Sequence, residues 1–144
     1  MVQRQGGARR PLRRAERRVG DPLAEGVERD LARVLPGEAR DLIADGANTP
    51  LFSSASIWEV AIKTAHGRES FRVDAAELRS GLLASGYREV AVTGEHAVAV
   101  GRLPPLHKDP FDRILVAQAQ VERATLLTAD ATVARYAGPV RFVG

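Results

Sequence analysis

Residues 107–130 read HKDPFDRILVAQAQVERATLLTAD, and the reading of this stretch decides the fold. Asp109 suits the cap of a helix, Pro110 its first position, and Asp112 complements the positive end of the helix dipole at the third. The apolar run that follows extends the helix over 111–122. The β-favouring ATLLTAD then predicts a strand over 124–130, and its last residue, Asp130, is itself a natural cap for another short helix. A helix feeding a strand that ends on a capping acid is one repeat of an α/β chain.

Working outward, the same alternation continues in both directions. Upstream, PGEARDLIADG (36–46) predicts an amphipathic helix closed by Gly46, TPLFSS (49–54) a strand, and SIWEVAIKTAHG (56–67) a helix with Ile57, Val60 and Ala61 on its apolar face. DAAELRSGLLASG (74–86) is a further helix, REVAVTG (88–94) a strand and EHAVAVGRL (95–103) a short helix. Downstream come a short helix at 131–136 and a last strand at 139–144. The fold class is therefore α/β, a mostly parallel sheet with helices on both faces.

Composition narrows the function classes. The chain has 144 residues, enough for one domain with a real core, and no cysteine, so disulfides and thiolate metal sites are excluded. No apolar run is long enough to span a bilayer, and no apolar segment follows the N-terminal arginines as a secretory signal would require. A cytoplasmic location is the expectation. The net charge of +3 is uneven: residues 1–18 hold seven arginines and one acid, leaving the remainder mildly acidic. The basic character belongs to this arm, expected to be disordered or misplaced, and the domain itself offers no basic nucleic-acid groove.

Ligands of open parallel sheets bind outside the carboxyl ends of the strands. Three acids fall at such junctions: Glu59 in the first turn after LFSS, Asp112 in the first turn after HKDP, and Asp130 at the end of LLTAD. Each has a capping reading, for Ser56-x-x-Glu59 matches a capping box and Asp109 and Asp130 are good caps. Yet several carboxylates facing one space repel one another unless a cation joins them. A hard divalent ion, Mg²⁺ or Mn²⁺, prefers such oxygen ligands and can activate water against a phosphodiester.

Three segments, SSASIWEVAIK (53–63), LPPLHKDPFDRILVAQAQ (103–120) and LLTADATVARY (126–136), resemble in order and separation the PIN domain of VapC-type toxins, the ribonuclease halves of type II toxin–antitoxin pairs. The resemblance covers roughly residues 36–144. It implies a three-layer α/β/α, Rossmann-like domain, a Mg²⁺- or Mn²⁺-dependent endoribonuclease, an RNA substrate, a VapB-type antitoxin partner and a homodimer. By the same resemblance Glu59, Asp112 and Asp130 are the catalytic metal ligands and Thr128 supports them. Asp109 is chiefly the helix cap with some metal contact, and Lys63, Lys108 and Arg113 are placed to meet RNA phosphates.

The departure lies at the start. Such domains begin with an apolar strand ending in an aspartate of the metal cluster, and residues 1–35 contain no comparable run; Asp21 and Asp30 have poor strand flanks. The first strand is expected to be missing, with residues 1–35 an atypical Arg-rich segment ahead of a domain at 36–144. A mis-assigned or frameshifted start and a decayed toxin are the favoured explanations. Loss of that strand would leave neighbouring backbone groups unpaired. Two other functions follow from these features: an impaired remnant that still binds its antitoxin, or an RNA-binding protein working through the arm. Trp58 and Phe111 are expected to pack into the core, and His66, His96 and His107 to be surface or capping residues. The helices at 37–46 and 77–83 offer an apolar face to an antitoxin.

Overall fold

The computed structural model describes residues 1–4, 20–66 and 73–144. Most of the Arg-rich arm, including its expected disorder, lies outside them. In chain order the elements are β1 (Val2–Arg4), α1 (Pro22–Val34), α2 (Gly37–Ala44), β2 (Asn48–Ser53), α3 (Ser54–Ala65), α4 (Ala75–Ala84), β3 (Arg88–Val90), α5 (Gly94–Val100), α6 (Pro110–Glu122), β4 (Leu126–Thr128) and β5 (Val140–Phe142). A turn of 3₁₀ helix at Val133–Arg135 joins the last two strands. No helix among the described residues is long and apolar enough to cross a membrane.

The sheet is mixed, with two parallel and two antiparallel pairings among the described residues. β2 pairs with β3 in parallel, and β4 with β5 in parallel. Between these pairs lies β1, which runs antiparallel to β2 with Val2 opposite Pro50 and Arg4 opposite Asn48. It meets the other pair at a bridge from Val2 to Thr125, with amide bonds of 3.0 and 2.8 Å in the two directions. The three-layer α/β arrangement expected from the alternation is present.

The first strand requires a correction. The N-terminal residues, grouped with the arm on charge, supply a strand in the middle of the sheet, although it runs opposite to its neighbours. Val2 is buried, and Met1 packs against both apolar clusters of the core. Leu51 donates to the Met1 carbonyl at 2.8 Å and the Met1 amine donates to the Leu51 carbonyl at 3.1 Å. Backbone groups that a missing strand would have orphaned are thereby paired, as buried amides and carbonyls must be. Periodicity could not reveal a strand of three residues ending in Gln3 and Arg4.

A second difference is α1, in a segment where the sequence pattern predicts no element. Pro22 opens it, Glu25 lies in its first turn and Arg33 in its last, the charge order that a helix dipole favours. It packs on α4, where Ala24 is buried and the Ser85 hydroxyl donates to the Ala24 carbonyl at 3.3 Å. The apolar face of α4 left open for a partner is thus covered in part by the chain itself.

The main core joins α6 to the strands that follow it. Val116, Ala117 and Ala119 are fully buried with Leu103, Leu126, Val133 and Tyr136. These small side chains let α6 sit close to the sheet and fix the direction of its N-terminus. α3 begins three residues earlier than a Ser56 cap would allow: Ser53 is the cap and accepts from the Ala55 amide at 3.0 Å. The capping box expected for Ser56 and Glu59 does not form. On α3 it is Ala55 that is buried, while Ala61 is exposed.

His96 bears out its capping reading, though from a buried position. It is 1% exposed, and it closes a capping box with Thr93 at the start of α5. Its Nε2 lies 2.9 Å from Glu122 Oε1, tying α5 to the end of α6. His66 remains an exposed cap residue, its Nδ1 2.7 Å from the Ile62 carbonyl.

Candidate metal centre

Local chemistry fixes the two loops that carry the acids. Asp109 caps α6, accepting the Phe111 amide through Oδ1 at 2.8 Å, with Pro110 in the first turn. Asp112 follows in that turn and is half-buried. Beyond β4, Asp130 Oδ1 accepts the amides of Thr132 at 2.6 Å and Val133 at 3.2 Å, while Thr128 Oγ1 accepts the Asp130 amide at 3.0 Å. One oxygen of Asp130 is thus spent on its turn. The other, Oδ2, is turned towards the residues before α6.

The loop ahead of α6 is held by Arg113 and Tyr136. The guanidinium donates to the carbonyls of Pro104 at 2.9 Å, Val100 at 3.1 Å and Leu103 at 3.3 Å. The buried Tyr136 hydroxyl accepts from Arg113 Nη1 at 3.1 Å and from the His107 amide at 3.0 Å. Arg113, counted among RNA contacts from its place in the sequence, has its donors directed into the protein. A planar fork of donors suits this gathering of carbonyls.

The residue that the sequence reading passed over is His107. Its ring stands between the two acids, Nδ1 3.5 Å from Asp112 Oδ2 and Nε2 3.4 Å from Asp130 Oδ2. The Asp109 amide donates to Nδ1 at 3.1 Å, which places the ring proton on Nε2, facing Asp130. Donor atoms of His107, Asp112 and Asp130 all lie within 4.8 Å of one another. Asp130 follows His107 by more than twenty positions, so no local ligand spacing could have pointed to the triad. The only local signal was a histidine two residues before a capping aspartate.

Glu59 is close to this group but outside it. Its carboxylate pairs with Lys63 one turn along α3, in contact with solvent. It is near enough to act on Asp112 through space. Lys108, between His107 and Asp109, is exposed. Asp21 and Asp30 are not in the triad, and β1, with the sequence Val-Gln-Arg, brings no acid to it.

The two acids are driven in opposite directions. Burial, with repulsion from Asp109, Asp130 and Glu59, raises the Asp112 carboxyl above the usual carboxylate range, only partly countered by His107. The Thr132 and Val133 amides, helped by His107, hold Asp130 below it. A carboxyl raised in the folded state binds its proton more tightly there than in the unfolded chain. Its contribution to stability therefore falls as pH rises from the ordinary carboxylate value through the raised one. Asp130 has the opposite sign, stabilising above the ordinary value and losing that contribution as acid protonates it. In metal-free buffer at neutral pH, Asp112→Asn is expected to raise the melting temperature. At a pH below the carboxylate range the difference should vanish, and thermal scans across pH check both.

The donor set fits a divalent cation: two carboxylate oxygens and an imidazole edge, with a surplus of negative charge that disfavours ionisation of Asp112. Octahedral ligands at about 2.1 Å lie roughly 3 Å apart when adjacent and 4.2 Å when opposite; the donor atoms of the triad, all within 4.8 Å of one another, need only a small inward movement to meet it. Ligation by His107 through Nε2 would send its proton to Nδ1 and break the Asp109 amide bond. In its present tautomer the ring instead donates towards Asp130, the outer-shell part that orients a ligating carboxylate. Comparison with known families adds that the PIN domain pattern matches residues 31–139, a span holding Glu59, Asp112 and Asp130. No curated protein matches the chain.

Proposed function

The chain belongs to the PIN-domain family, whose members are generally metal-dependent nucleases, and from this premise we propose that it is a Mg²⁺- or Mn²⁺-dependent endoribonuclease, the toxin of a type II toxin–antitoxin pair. The observation that carries the reading is the convergence of Asp112, Asp130 and His107 at the carboxyl end of β4 and the start of α6. Asp112 and Asp130 would hold the ion, and Glu59 joins them on release from Lys63. Thr128 fixes the Asp130 backbone, and Asp109 fixes both the helix start and the His107 ring. A bound divalent ion supplies Lewis acidity towards a phosphodiester and lowers the pKa of a water. Lys63 and Lys108 are the exposed cations suited to RNA phosphates. A VapB-type antitoxin segment would find apolar surface in the groove between α1 and α2, lined by Leu31, Leu35, Ile43 and Tyr87.

Titration calorimetry with Mn²⁺ tests the centre. Wild-type protein is expected to bind the ion, and an Asp112→Asn, Asp130→Asn double variant to lose that binding. Equal heats for the two proteins would sink the reading. The acid-free β1 supports a second possibility, a catalytically impaired PIN domain that retains its antitoxin. Metal binding without RNA cleavage would favour it.

A further inference from the structure

Trp58 and Phe111, read from the sequence as core residues, form something else. Trp58 is 63% exposed, although it is the largest apolar side chain in the protein. Its ring meets that of Phe111 edge to face, with centroids 5.2 Å apart and planes at 74°. Beside the pair opens a cleft of about 480 Å³ whose walls include Ala55, Val92, Val100, Pro110 and Ile114. Among the described residues no charged side chain lines it; its side-chain polar groups are the Ser54 hydroxyl, whose oxygen accepts the Val92 amide at 3.1 Å, and the indole N–H of Trp58.

The position of the cleft gives it meaning. Trp58 directly precedes Glu59 on α3, and Phe111 directly precedes Asp112 on α6. An uncharged aromatic seat therefore adjoins the acidic centre along two helices at once, with the exposed Lys63 and Lys108 on the same helix and loop. That division matches the two halves of a nucleotide, a flat uncharged base beside a charged phosphate that needs cations. We propose that this cleft is a nucleobase platform, seating a base next to the phosphodiester presented to the acidic centre. The inference rests on the nuclease reading above. Stacking on an aromatic face is available to every base, and a lining whose side-chain polar groups are one indole N–H and one hydroxyl has little with which to read a Watson–Crick edge. The platform therefore fixes the position of an RNA strand with little preference among bases.

Trp58 is the only tryptophan in the chain, so its fluorescence reports on the platform directly. The probe is a 2′-O-methyl hexanucleotide, which resists cleavage, added to the full chain. Its binding is expected to quench the tryptophan emission. By anisotropy of a labelled oligonucleotide, Trp58→Ala should weaken binding by roughly tenfold to a hundredfold, the range for loss of one stacked base. Trp58→Phe should recover most of the affinity, and Phe111→Leu should weaken it without removing the reporter. Absence of quenching, or unchanged affinity in Trp58→Ala, overturns the platform. A change of sedimentation in Trp58→Ala with unchanged oligonucleotide affinity also overturns it, marking the cleft as a protein interface. Failure of the nuclease reading shows separately, as loss of the Mn²⁺ heats while oligonucleotide binding persists.

Discussion

Asp112→Asn is expected to reduce Mn²⁺-dependent cleavage of RNA by a hundredfold or more, and Glu59→Gln to reduce it less. The order follows from what each carboxylate does in the fold. Asp112 faces the Nδ1 edge of His107 at 3.5 Å, and it sits where burial and neighbouring acids disfavour its charge. A carboxylate held in that state gains from a bound cation as it does from a proton. Outer-shell partners of metal ligands already cost roughly 10–100-fold when removed, so a direct ligand should cost at least the upper end. Glu59 has a cation of its own in Lys63, which lowers what it gains from an ion. Initial cleavage rates of the two variants at saturating Mn²⁺ measure the difference. Equal losses would mean that Glu59 leaves Lys63 fully and joins the centre as an equal ligand. The same substitution should stabilise the metal-free protein, so loss of activity and gain of stability are expected together, the usual trade at a strained site.

Val2→Pro is expected to be the most damaging single change far from the site, lowering stability by about 3 kcal/mol or more. The Val2 amide donates to Thr125 at 3.0 Å, and its side chain is buried between the two halves of the sheet. Proline removes that donor and does not fit the interior of a sheet. The bridge to Thr125 is the link between β1 and the β4–β5 pair, so its loss opens the sheet at its centre. Urea denaturation reads the change, with Val2→Ile as a control that keeps the strand. A Val2→Pro protein as stable as wild type would show that Val2–Arg4 contributes little to the fold. That result would return these residues to the arm in which charge had placed them.

Much of the molecule was legible in order. The helix at Pro110–Glu122 and the strand after it follow from signals within a few residues of each element: a capping aspartate, a proline, an apolar run, a turn. Asp109 and Asp130 cap as their positions implied, because a cap is made with amides two or three residues away. Trp58 lies outside the core, against its apolar character, for an equally physical reason. Apolar character says that burial would be favourable, and only the neighbouring helices decide whether there is room.

What the sequence determined by itself was the α/β alternation and the acids at its junctions, since both arise from local hydrogen bonding and short-period patterning. What only the tertiary structure decided was which distant groups meet. β1 is a strand because β2 and Thr125 present unpaired backbone on both sides of it, a condition invisible in Val-Gln-Arg. His107 belongs to the centre because α6 and β4 pack through Val116, Ala117 and Leu126, carrying the two acids to opposite edges of one imidazole. Contacts made across a core depend on the packing of everything between them, and no window of sequence contains that.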